Sequence, residues 1–203
     1  AEGVYLFDAQ GKSYLDLISG IAVSNVGHRN PAVVKAIKEQ VDAYMHLMVY
    51  GEYIQSPQVQ LAEALVKSTG TEHLNQVYFT NSGTEAVEGA MKLAKRYTGR
   101  TEFISCFNAY HGASQGALSI AGDENFKNAF RPLLPDIRHI HHGSETDLAQ
   151  ISEKTAAVII EIVGGEAGVR TASAAYFQAL SQCRCLKLSH ASNMRLLVGI
   201  EQN

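Results

Sequence analysis

The stretch between residues 77 and 163 constrains the fold most, because short β-favouring runs alternate there with helical patterning. Val77-Tyr78-Phe79-Thr80 is the first such run, and Asn81-Ser82-Gly83 is a turn. From Thr84 to Tyr97, the residues Val87, Ala90, Met91, Ala94 and Tyr97 recur on one helical face, and Gly99 stands where a C-cap belongs. Glu102 to Phe107, Ile137 to His141 and Ala156 to Val163 are three further strand candidates. The last is nearly continuous apolar, which is how a strand covered on both faces reads. Strands alternating with helices predict an α/β domain with a largely parallel sheet.

The stretch before residue 77 reads differently. Val4 to Phe7, a turn over Asp8 to Lys12, and Ser13 to Leu17 predict a two-stranded ribbon. Asn30-Pro31 is a helix start, since Asn caps and Pro suits the first helical position. Val34, Ile37, Val41, Tyr44 and Met48 continue at helical spacing. Ser56-Pro57 repeats the signal, and Leu61, Ala62, Leu65 and Val66 are expected to form a buried stripe.

At 203 residues the chain can bury roughly 70% of its unfolded surface, so it needs no disulfide or metal staple. A net charge of −3 with no basic run argues against a nucleic-acid partner. No run reaches the roughly 18 apolar residues of a membrane span. Three cysteines, Cys106, Cys183 and Cys185, are an odd number at irregular spacing. That argues against a disulfide framework and for the cytoplasm. Cys183-x-Cys185 and the pair His139/His141 are the places where a metal could sit. Incidental thiols, and histidines with no third ligand, are the plainer reading, and no metal is expected.

Three places carry chemistry. Asn81-Ser82-Gly83-Thr84-Glu85-Ala86 joins a strand to a helix. A helix start offers unpaired N–H groups and the positive end of a dipole, which suits a phosphate, and Thr84 can add a hydroxyl donor. A plain capped helix reads the same way. No Walker-type or G-x-G-x-x-G pattern occurs, so a nucleotide is not the natural carrier of that phosphate. Asn108-Ala109-Tyr110-His111-Gly112 follows a strand, where an aromatic can lie on a planar heterocycle or simply pack on its own domain. Glu161 to Gly168 places Glu161 and Glu166 near the end of a buried strand, where open α/β sheets bind ligands. A glycine-rich turn with a solvated Glu166 is the alternative.

Taken in order, these words resemble the class III aminotransferases, the acetylornithine, ornithine and 4-aminobutyrate group of fold-type-I pyridoxal-phosphate enzymes. The matching words are Gly3 to Asp8, Ser19 to Val23, Gly27-His28, Phe79 to Ala86, Tyr110-His111-Gly112, Arg131-Pro132-Leu133 and Glu161 to Gly168. They run from residue 3 to about residue 182. Three segments are expected: a ribbon-and-helix segment over 1–50, then 51–182 and 183–203, divided where the resemblance stops. The resemblance implies an N-terminal segment plus part of the large, mostly parallel-sheet domain of that fold. It implies pyridoxal 5'-phosphate as cofactor, with Ser82, Gly83 and Thr84 at its phosphate. Tyr110 and His111 belong to the ring-stacking word, Glu161 lies near the cofactor, and Glu166 serves the substrate side. The activity implied is amino transfer from an ornithine-like or ω-amino donor to a 2-oxo acid, by a homodimer.

The departures carry their own expectations. The family's usual Arg after the aromatic-His-Gly word is Ala113 here, which removes a bidentate carboxylate partner. Its usual Pro after the first Glu is Ile162, and its usual Gln is Gly164. From about residue 183 the pattern stops, as in a truncated chain with a frameshifted or foreign tail. The Asp that pairs with the cofactor's ring nitrogen is absent. So is the Schiff-base lysine, and nothing around Lys187 matches its motif. No catalytic residue is therefore assigned. The expectation is a transaminase parent and a chain inactive alone. The alternatives are a catalytically dead cofactor-binding or dimer-partner fragment, and an unrelated phosphate-binding α/β module.

Overall fold

The strands of the α/β part pair in the way the apolar runs require. The computed structural model describes residues 1–48, 51–72 and 74–187. Residues 188–203, most of the tail expected to be out of character, lie outside the described residues, as do the side chains of Cys185 and Lys187. The described chain divides into two compact units, residues 1–68 and residues 69–187.

In the first unit, β1 (Tyr5–Phe7) and β2 (Ser13–Leu15) pair antiparallel, as the ribbon reading predicts. Asp8 closes the turn by accepting from the Gln10 and Lys12 N–H groups at 3.0 and 2.9 Å and from the Tyr14 hydroxyl at 3.0 Å. These bonds, with the Lys12 one foremost, hold the Asp8 carboxyl below its usual range. A left-handed turn, α1 (Ser19–Ala22), follows. Helix α2 (Pro31–Ala43) starts where Asn30 accepts from the Ala32 and Val33 N–H groups. It stops at Ala43 rather than continuing to Met48, because Tyr44 is extended, at φ −172 and ψ 153. Helix α3 (Ser56–Ser68) forms as predicted, but its expected buried stripe is not buried: Leu61 is 51% and Leu65 42% exposed. Its apolar face meets too little of the described chain to be covered. The same is true of the whole unit, in which no described residue is buried.

In the second unit, helix α4 (Gly83–Thr98) buries Val87, Ala90, Met91 and Ala94 and ends on Gly99 at φ 67. Tyr97, the last residue of the predicted stripe, stays 42% exposed. Three parallel strands follow: β3 (Glu102–Cys106), β4 (Ile137–Ile140) and β5 (Thr155–Val158). Their order is β4-β3-β5, with β3 central and wholly buried. Helices α5 (Gln115–Ile120) and α6 (Glu124–Lys127) lie between β3 and β4 in sequence. A small antiparallel hairpin, β6 (Val163–Gly164) with β7 (Arg170–Thr171), precedes α7 (Ala174–Lys187).

Alternation along the strands feeds two cores. Phe103, with Ile137, Ala157 and Ile159, packs against Val87, Met91, Ala117 and Ile120. Ile104, Cys106 and Ile140, with Val158 and Ile160, pack against Tyr176, Phe177 and Leu180 of α7. The sheet is thus buried on both faces, which explains the apolar run at 156–163. Two expectations change. The run is not one strand, since β5 ends at Val158. Val77 to Thr80 is not a strand, because no described strand runs beside it to share a ladder.

Glu102 is a buried carboxylate at the start of β3. It accepts from the Thr155 hydroxyl at 2.6 Å and the Arg138 guanidinium at 2.9 Å, so it ties all three strands together. No described helix is long and apolar enough to cross a membrane.

Candidate functional site

The site is built where the loop after β3 meets the N-terminus of α4. Ser82 is the N-cap, its hydroxyl accepting from the Glu85 N–H at 3.3 Å. The Glu85 carboxylate reaches back to the Asn81 N–H at 2.8 Å. The two bonds fix the entry of the helix, in a variant of the capping box that reaches the residue before the cap. Among the described residues, the N–H groups of Gly83 and Thr84 have no protein partner. They are free donors at the positive end of a 16-residue helix.

The loop after β3 crosses this helix end. Gly112 has φ +121, and a Cβ there would fall on the side chain and Cα of Thr84. Only glycine combines that dihedral with so close an approach. Next to it the Ser114 N–H donates to Thr84 Oγ1 at 3.2 Å, and the two hydroxyls lie 2.7 Å apart. Ser114 Oγ also donates to Glu88 Oε1 at 2.6 Å, and the same oxygen accepts from the Gly116 and Ala117 N–H groups at 2.7 and 3.1 Å. Glu88 of α4 therefore caps α5. Its carboxyl lies below its ordinary range: burial pushes it up, but the bonds from Ser114, Ala117 and Gly116 and the nearby Lys92 outweigh that.

The predicted residues distribute unequally around this junction. Tyr110 is half-buried, its ring edge-on to Phe126 at 5.6 Å. Its N–H donates to Glu161 Oε2 at 3.3 Å, and the Gly165 N–H donates to Glu161 Oε1 at 3.4 Å. Burial raises the Glu161 carboxyl, and Glu166 adds to the rise, against the two backbone bonds and His142. Thr84 thus meets this loop at Gly112 and Ser114, and two residues before Gly112 the Tyr110 N–H meets Glu161. His111 is not part of the exposed junction. It is buried with Nε2 2.9 Å from Ser105 Oγ, and its pKa is lowered to about 4 by burial, with His139 contributing. Glu166 is exposed.

The histidine word serves backbone and carboxylate. His139 Nε2 bonds the Ala121 carbonyl at 3.0 Å, His141 Nδ1 bonds Asp147 at 2.8 Å, and His142 Nε2 bonds the Glu161 carbonyl at 2.9 Å. No three His, Cys, Asp or Glu side chains among the described residues are grouped to hold a metal ion. A cavity of about 310 Å³ opens beyond the carboxyl ends of the parallel strands. Asn108, His142, Glu161 and Arg170 line it, together with buried Cys106, whose thiol is pushed up to about 12 by burial and by Glu161 and Asp147.

Sequence reasoning missed Glu88 and Ser114. The signal was present in the helix period: Glu88 stands one turn beyond Thr84 and so shares its face. Nothing local announced that Ser114 would come to lie opposite that face.

Known proteins share this arrangement of elements. The chain is 41% identical over 184 residues to an acetylornithine aminotransferase of Archaeoglobus fulgidus, covering 90% of this chain and 48% of that protein. It is 42% identical over 182 residues to the acetylornithine aminotransferase of Methanopyrus kandleri, covering 89% of this chain and 46% of that one. Among solved structures, an adenosylmethionine-8-amino-7-oxononanoate aminotransferase from Methanocaldococcus jannaschii superposes with a TM-score of 0.84 at 33% identity, over 92% of this chain and 45% of that one. A taurine:2-oxoglutarate aminotransferase from Bifidobacterium kashiwanohense, solved with PLP and glutamate, gives 0.81 at 30% identity, over 91% and 47%. The chain spans about half the length of the relatives it matches. The family model for class-III aminotransferases matches residues 1–187, and the chain belongs to that family.

Proposed function

We propose that this chain carries the cofactor-binding part of a pyridoxal-phosphate-dependent aminotransferase. Its reaction moves an amino group from an ornithine-like or ω-amino donor to a 2-oxo acid. The observation that carries the reading is the start of α4: two unpartnered N–H groups held beside the Tyr110 loop, in a chain of the class-III family. The acetylornithine relatives support the donor class, and the neighbour that uses 2-oxoglutarate supports the acceptor class.

The junction fits the cofactor. The Gly83 and Thr84 N–H groups, behind the Ser82 cap, would hold its phosphate, because a doubly charged anion is favoured at a helix N-terminus. Pyridoxal phosphate supplies the carbonyl that takes up an amino group and the ring that withdraws electrons from it. Tyr110 offers a ring face and excludes water from it. Buried His111 stays neutral and braces the loop from below through Ser105. Half-buried Glu161 orients that loop through the Tyr110 N–H and faces the cofactor. Exposed Glu166 serves the substrate side. No lysine of this chain is assigned to the reaction. A cytoplasmic homodimer is the proposed setting.

Titration with pyridoxal phosphate, followed by circular dichroism in the cofactor's absorption band, tests the reading. A saturable signal is expected, competed by inorganic phosphate and weakened about tenfold in Tyr110→Ala. No saturable signal in the parent chain would overturn it. Amino transfer is read as glutamate formed from 2-oxoglutarate with ornithine or 4-aminobutyrate. Binding without turnover is expected of this chain, and robust turnover would refute that part.

A further inference from the structure

We propose that Glu88 is a positioning residue that sets the direction of a hydrogen-bond chain and so locks the Tyr110 loop onto the start of α4. An ionised carboxylate only accepts, so the 2.6 Å contact uses the one hydroxyl hydrogen of Ser114. Ser114 Oγ then has only lone pairs to offer Thr84 at 2.7 Å. The Thr84 hydroxyl must therefore donate to Ser114, while Thr84 Oγ1 accepts the Ser114 N–H. The order is Thr84 to Ser114 to Glu88, with no freedom to reverse while Glu88 is charged.

Two consequences follow. The Thr84 hydroxyl hydrogen is committed to the protein, so Thr84 offers an anion at this helix end its N–H alone, beside the Gly83 N–H and the hydrogen of the Ser82 hydroxyl, which only accepts from Glu85. This revises the expectation that the Thr84 hydroxyl is itself a phosphate donor. Glu88, which contacts neither the N–H groups nor Tyr110, governs how the two are held together. Gly116 belongs to the device, because a Cβ there would strike the Glu88 carboxylate. The consequence for the cofactor rests on the function proposed above; the latch itself does not.

Amide hydrogen exchange on the full chain tests the latch without any ligand. In Glu88→Ala, and to a smaller degree in Glu88→Gln, protection at Ser114, Gly116 and Ala117 is expected to fall at least tenfold. The β3 amides should keep theirs. Unchanged protection at those three positions overturns the proposal, and Glu88→Gln decides the matter if the alanine variant does not fold. Pyridoxal-phosphate titration is the second arm. Glu88→Ala and Ser114→Ala should each weaken binding about tenfold, and the double variant no more than either. Additive losses would overturn a single connected chain. Should the parent chain not bind pyridoxal phosphate, the cofactor reading falls, and the exchange arm still decides the latch.

Discussion

Gly112 shows how much can depend on one missing Cβ. Its dihedral and its contact with Thr84 both exclude a side chain. Gly112→Ala is expected to cost at least about 2 kcal/mol, from backbone strain plus overpacking. A chemical-denaturation midpoint within error of the parent's would refute this. His111 and His139 set a pH response. Burial lowers both, His111 to about 4, so the unfolded chain takes up protons that the folded chain refuses. Stability should be full above about pH 6.5 and fall between there and about pH 4. The melting temperature across that window reads it, and a flat profile would count against it. These two cases differ in legibility. Gly112 stood in a readable word, but its partner Thr84 lies 28 positions back in the chain. That contact is set by how the loop crosses the helix.

At the scale of elements, the sheet depends on how its carboxylate is satisfied. Glu102→Ala should cost about 1–3 kcal/mol, because the Thr155 hydroxyl and the partly exposed Arg138 lose their acceptor. Thermal unfolding measures it, and an unchanged midpoint would remove the tie from the account. Helix α4 was largely readable: its apolar stripe up to Ala94 and its Gly99 stop are local and agree with one another, while Tyr97 stays exposed. Strands were less so. The run at 156–163 is nearly continuous apolar, yet β5 takes only its first part and ends at Val158. Val77 to Thr80 has strand chemistry and no described partner. β-propensity describes a surface that fits a pleat, and pairing needs a neighbour that no local window contains.

For the whole molecule, the two units differ in kind. Residues 69–187 bury two apolar clusters around a sheet. Residues 1–68 bury none of their described side chains and expose Leu17 at 85%, Ile21 at 81% and Ile54 at 88%. Apolar surface on this scale seeks cover. The chain alone should therefore bind an apolar dye and self-associate with rising concentration. A monodisperse monomer in sedimentation, silent toward the dye, would contradict this.

The sequence by itself determined the α/β class, the apolar stripe and stop of α4, the ribbon around Asp8, and the words that mark the family. Each of these is short-range: a cap, a period or a turn is satisfied within one or two turns of its own chain. Tertiary structure alone decided that His111 turns into the core, that β5 stops at Val158, and that Glu88 reaches across to Ser114. Those outcomes depend on which surfaces meet after the chain crosses over, where a hydrogen-bond partner or a ladder neighbour can stand 26 or more residues away.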